Sequence, residues 1–179
     1  MNKVLLVIEP WSCHYEVFPS VINSSSKVYD HIFIYVQDPV HLSEAINKDE
    51  MNATQNLTLK RLNNLVQDIE KIKSNGIYLD IWVNTSHVHG NQQSFTIFQK
   101  IYFEALRNRY SGRLFLVIHN KHDLNFIKYL QHNQVDKKVI PVCLSKDTLY
   151  KYMLNENSAK LFEPYTLKIE INQKVAEDI

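Results

Sequence analysis

Glycine is nearly absent from this chain. Gly76, Gly90 and Gly112 are the whole supply in 179 residues. A glycine-rich phosphate loop, a dinucleotide turn or a P-loop each needs several glycines close together, because backbone N–H groups must close on phosphate with no Cβ in the way. The chain has no such stretch. Cysteine is equally scarce: Cys13 and Cys143 are too few and too far apart for a disulfide framework, which fits a reduced, cytoplasmic protein. Excess charge is missing too. Twenty Lys and Arg against nineteen Asp and Glu leave a formal net charge of +1, so no basic field exists for nucleic acid. Long apolar runs are also lacking. The opening MNKVLLVIEP is far shorter than the ~20 residues of a membrane span. It ends in an acid and a proline, unlike a cleavage site, and reads as a first strand. Neither a nucleic-acid nor a membrane partner is expected.

What is present is an alternation of apolar strands and amphipathic helices, in a length that suits one domain. Lys3–Ile8 is a continuous apolar strand closed by Glu9-Pro10. Ser12 reads as the N-cap of a helix carrying Val17, Phe18, Val21 and Ile22, with Pro19 awkward inside it and Ser24-Ser25-Ser26 as a loop. His31–Val36 is the second strand, and the polar stretch through about Met51 reads as loop. Leu62, Leu65, Val66, Ile69 and Ile72 recur at helical steps, and Asn75-Gly76 is a left-handed stop. Ile77–Asn84 alternates apolar with polar, as an edge strand does. A helix from about Ser94 to Tyr110 ends at Gly112, and RLFLVI follows as a buried strand. A helix with Leu124, Ile127 and Leu130 inward precedes Val139–Leu144, whose Pro141 places that fifth strand at an edge. Strands separated by helices predict a parallel sheet with right-handed crossovers. Asp147 to about Phe162 then reads as a helix, and Tyr165–Ile171 as a half-exposed strand. The expected division is a main domain over residues 1–146 and an extension over 147–179, packed on that domain or on a dimer partner.

The segments VLLVIEP, IFIYVQDP and IPVCL, with a strand, corner, helix and Pro-Val strand at the end, resemble the universal stress protein family over Lys3–Ser145. The resemblance implies a three-layer α/β fold, a five-stranded parallel sheet in the order 3-2-1-4-5 with helices on both faces. It also implies homodimerisation through the fifth-strand edge, to which the C-terminal tail would add its strand. Many members bind ATP through a G-x2-G-x9-G-[ST] signature after the fourth strand. Laid on this chain, that signature falls on His119, His122, His132 and Asn133, and none of the four is glycine. The chain therefore resembles the members that lack the ATP signature. Glu9 and Val36 match positions that contact the nucleotide in the family.

Three functions follow as expectations. The first is a non-enzymatic stress-response protein acting through protein contacts or a small ligand, without tight ATP binding and without a cofactor. The second is a nucleotide-binding member whose phosphate loop is rebuilt from Glu9, His119, His122 and Asn133. The third is a metal- or redox-linked enzyme that uses the histidines or Cys13. His87-x-His89 and His119-x2-His122 have spacings that zinc accepts, but no further ligand completes a tetrahedral set. No metal is expected.

Overall fold

The computed structural model describes residues 2–11, 14–45, 56–85, 112–132, 139–155 and 157–164. Its centre is one parallel sheet. The strands are β1 (Lys3–Glu9), β2 (His31–Val36), β3 (Leu57–Arg61), β4 (Tyr78–Val83), β5 (Leu114–Ile118), β6 (Val139–Cys143) and β7 (Lys160–Leu161). They lie in the order β3-β2-β1-β4-β5-β6-β7, every pair parallel. The described helices are α1 (Phe18–Ser25), α2 (Pro39–Ala45), α3 (Leu65–Ser74), α4 (Lys121–Leu130) and α5 (Lys146–Lys151).

Two apolar layers sandwich the sheet. Leu65, Ile69 and Ile72 of α3, Leu124, Ile127 and Leu130 of α4, and Leu149 of α5 pack on one face, against Leu6, Ile81 and Leu116. Phe18, Val21 and Ile22 of α1 and Leu42 of α2 pack on the other, against Val7, Ile34 and Val117. The α/β architecture with helices on both faces is as expected. So is the inward stripe of α4.

The sheet has seven strands, not five. Counted along the chain, its first five do lie 3-2-1-4-5, but the strand in third place is Leu57–Arg61, which the sequence reading passes over. Ile77–Asn84 is consequently no edge strand. As β4 it sits between β1 and β5, and Trp82 is buried in the core. The alternation is real, but its polar face is turned inward, where Asp80 finds its partners. Asp80 is fully buried, bonded by the Tyr29 hydroxyl at 2.5 Å, the Arg113 backbone N–H at 2.6 Å and the Arg113 guanidinium at 3.0 Å. The true edge, LTLKR, also alternates, and carries the Lys and Arg that discourage further pairing. Lys60 reaches Asp68 of α3 at 2.7 Å, and the buried Tyr35 hydroxyl donates to the same carboxylate at 2.8 Å, so β2, β3 and α3 are tied together.

Other boundaries move for local reasons. Pro19 lies in the first turn of α1, where a missing N–H costs nothing, and α1 runs on through Ser25 instead of stopping at a serine loop. The polar stretch after β2 contains α2, opened by Asp38, whose side chain accepts from the Val40 and His41 amides. The fifth strand of the sequence reading, now β6, is flanked by β7 and is not an edge. Pro141 is tolerated because β7 pairs only with Val142 and Cys143, one residue beyond it. The helix read over Asp147–Phe162 ends at Lys151, since the chain turns at Met153 in a left-handed conformation and enters β7. Gly76 is left-handed (φ 68°), as the stop after α3 requires. Gly112 has a different reason to be glycine: a Cβ there would lie 1.7 Å from the Leu79 carbonyl oxygen. Ser12, the helix read over 94–110 and the tail strand Tyr165–Ile171 lie outside the described residues.

Asp80 is the charged group on which the amino end of the sheet is built. Burial alone would raise its carboxyl, but the bonds from Arg113 and Tyr29 outweigh that and hold it below the usual carboxylate range. Its stabilisation is therefore present above the unfolded value of 3.8 and is lost as the pH falls further. Asp80→Asn is expected to lower the unfolding free energy at neutral pH by about 3 kcal/mol, measured by urea denaturation. A loss below about 0.5 kcal/mol would show that the cluster is incidental.

Candidate functional site

The chain leaves β1 towards β2 and β3, then returns across the sheet to β4, β5, β6 and β7. The direction of travel therefore reverses between β1 and β4. In open parallel sheets the crevice outside the carboxyl ends at such a reversal is where ligands bind. Glu9 ends β1, and Asn84 and Thr85 follow β4, so these three residues stand at that reversal.

Glu9 is fully buried. The Trp11 N–H donates to its Oε1 at 3.0 Å, and the Asn84 amide and Thr85 hydroxyl donate to its Oε2 at 2.9 and 2.6 Å. Desolvation pushes the Glu9 carboxyl up, and the bonds from Thr85, Trp11 and Asn84, with His14 nearby, offset only part of that rise. Asn84 is the hub. Its side-chain N–H donates to Glu9 and to the His14 carbonyl (3.1 Å), while its own carbonyl accepts from His119 Nε2 at 2.5 Å. Its Oδ1 is buried without a hydrogen-bond partner among the described residues. His14 is left-handed (φ 56°), an uncommon state for a residue with a Cβ. Its ring lies flat on that of His119, with centroids 3.9 Å apart and planes 9° from parallel.

Beside this cluster, the corner after β5 is closed by its own side chains. The sequence Asn120-x-x-Asp123 forms a capping box at the start of α4. The His119 and Asn120 amides donate to Asp123 Oδ2 at 2.7 and 3.1 Å. The His122 and Asp123 amides donate to Asn120 Oδ1 at 2.8 and 3.2 Å. These are the backbone donors that a phosphate at this corner would need. A fully buried carboxylate, Asp123, already takes two of them.

The residues singled out from sequence therefore part company. Glu9 and His119 meet through Asn84. Val36 pairs in register with Glu9, but is core, packed with Ile34 and Leu42. His122 is exposed on the first turn of α4. His132 is exposed just beyond the helix's far end, roughly 15 Å along its axis. Asn133, Cys13, His87 and His89 lie outside the described residues. The corner itself follows a strand that is one place removed from β1, because β4 intervenes. Sequence pattern does not single out Asn84, Thr85 or His14: alternation puts Asn84 on the polar face of an edge strand, and nothing local marks the other two. The Asn-x-x-Asp spacing was visible and is the one signal that could have revealed the closed corner. Among the described residues no group of three His, Cys, Asp or Glu side chains is arranged to hold a metal. No helix among them is long and apolar enough to cross a membrane. Cys143 is buried, and desolvation pushes its thiol up, away from the reactive thiolate. No family model, curated protein or solved structure matches the chain.

The raised Glu9 carboxyl has a thermodynamic signature. A group whose folded value lies above its unfolded one, 4.5 here, stabilises fully below that value and loses the effect as pH rises through the folded value. In guanidinium midpoints taken from about pH 4 to about pH 7, the wild type should lose stability relative to Glu9→Gln as pH rises. A difference that stays level across that window would refute the assignment.

Proposed function

We propose that this chain is a universal-stress-protein-like, non-enzymatic binding protein that takes a small polar ligand at the crevice between β1 and β4, without gripping ATP. The observation that carries the reading is the Asp123 carboxylate seated on the amides of the corner after β5. A triphosphate brought there meets a negative charge where it needs N–H donors. The cost of displacing Asp123 falls on the capping box as well, at about 1 kcal/mol for the cap alone. Glycine at this corner would leave the amides open, whereas His119 and Asn120 fill it with side chains.

A second feature supports a ligand at the reversal point. A bound molecule can satisfy a buried acceptor that lacks a donor, and among the described residues Asn84 Oδ1, beside Glu9 and Thr85, is such an acceptor. The resemblance to stress proteins that lack the ATP signature supports the same assignment, and β4 separates the signature corner from β1. A rebuilt phosphate loop using Glu9, His119, His122 and Asn133 gains no support, since Glu9 is buried and His122 points along an exposed helix turn.

Isothermal titration with Mg-ATP is expected to show no saturable binding tighter than about 100 µM. Native mass spectrometry of the purified protein is expected to show a small molecule that is retained by the wild type and lost in Asn84→Asp. Micromolar ATP binding that survives Asn84→Asp would overturn the reading.

A further inference from the structure

Asn75-Gly76 is the one place in the chain where glycine follows asparagine. That pair is chemically distinctive. The backbone nitrogen after an asparagine can attack the side-chain amide carbon, and a glycine there has no Cβ to hinder the approach. Asn75 is the C-cap of α3 and Gly76 the left-handed residue that follows, and both are exposed. A Cβ placed on Gly76 would meet nothing within 4 Å, so the space beside the attacking nitrogen is open.

The same residues make the stop that ends the helix. The Asn75 N–H donates to the Lys71 carbonyl at 3.2 Å, the Gly76 N–H to that of Lys73 at 3.0 Å and the Ile77 N–H to that of Ile72 at 3.3 Å. These bonds satisfy carbonyls that the end of α3 would otherwise leave open. They also hold the pair in a geometry unsuited to reaction. Asn75 has ψ 5°, which sets the Gly76 nitrogen beside Asn75's own nitrogen. Ring closure needs it swung round to the side that carries Cβ, and that rotation breaks the Gly76–Lys73 bond.

We infer that Asn75 is an isoaspartate-forming site gated by the stop of α3, inert while the stop is closed and converted when the helix end opens. Helix ends fray at low free-energy cost, so opening occurs in the folded protein without global unfolding. In the open state the Gly76 nitrogen bonds to the Asn75 side-chain carbonyl carbon. The bond from that carbon to the amide nitrogen breaks, and the amide leaves as ammonia with the proton lost by Gly76. A cyclic imide remains. One water opens it at either carbonyl, giving aspartate or, with the peptide link moved onto the side chain, isoaspartate. Nothing is oxidised or reduced.

Isoaspartate is the consequential product. It adds one carbon to the main chain and puts a carboxylate at the negative end of the α3 dipole. Only Ile77 separates Gly76 from the start of β4 at Tyr78, so the insertion falls at the entrance to a central strand. It disturbs the bonds that Gly76 and Ile77 return to α3.

Full-length protein incubated at mildly alkaline pH, in buffer and in concentrated urea, tests the gate. Peptide mapping with an isoaspartate-specific methyl-transfer assay follows each asparagine. Asn75 is expected to convert before any other asparagine in both media, and about tenfold more slowly in buffer than in urea. Asn75→Ser is expected to remove the signal at this site. The converted wild type should unfold at a lower urea concentration than Asn75→Asp, which carries the charge without the added carbon. Equal rates in the two media would overturn the gate. Isoaspartate that forms first at the exposed Asn157, or never at Asn75 in buffer, would overturn the site. A converted protein as stable as Asn75→Asp would overturn the effect given to the added carbon.

Discussion

A charged or amide group on the inner face of a central strand needs partners from neighbouring elements, and the sheet is arranged around that demand on β4. Asp80, Trp82 and Asn84 point to one side, spaced two residues apart, so the two polar groups stand roughly 13 Å apart along the strand. Asp80 draws in Tyr29 and Arg113 at the amino end. Asn84 draws in Glu9, His14 and His119 at the carboxyl end. Between them Trp82 packs on Phe115 and Phe162. The strand next to β1 is therefore stapled to its neighbours at both ends. One staple is an ion pair that only holds the sheet together. The other lies where the crossovers reverse.

The same face explains which parts of the fold could be read from residues alone. Continuous apolar runs such as LFLVI leave one reading, and β1 and β5 are as buried as those runs demand. Helical stripes such as Leu124, Ile127 and Leu130 are equally plain. Alternation is ambiguous, because a polar residue every second position can face water or a buried partner. LTLKR and IYLDIWVN share the pattern and take opposite places in the sheet. Nothing within Ile77–Asn84 announces that Asp80 will meet an arginine 33 residues later. Long-range pairing decided the matter, and local pattern does not carry it.

The candidate site follows the same rule. Glu9 was visible because an acid at the end of an apolar strand is conspicuous, and His119 because it opens the corner after another. Their connection runs through Asn84, which became a neighbour of β1 only once Leu57–Arg61 had taken the edge. The phosphate signature could be laid on His119, His122, His132 and Asn133 by counting, but a helix turns consecutive positions in different directions. His122 and His132 end at opposite ends of α4, so equal spacing in sequence produced no common site.

Asp123 places a carboxylate of the protein's own on the amides at the start of α4. Selectivity at this corner is then a matter of occupancy rather than of shape. The backbone of α4 already presents converging amides, and a single carboxylate decides whether they face inward to the protein or outward to a guest. A chain of this design stands one side chain away from anion binding, and it gains a stable helix start for as long as it keeps that side chain.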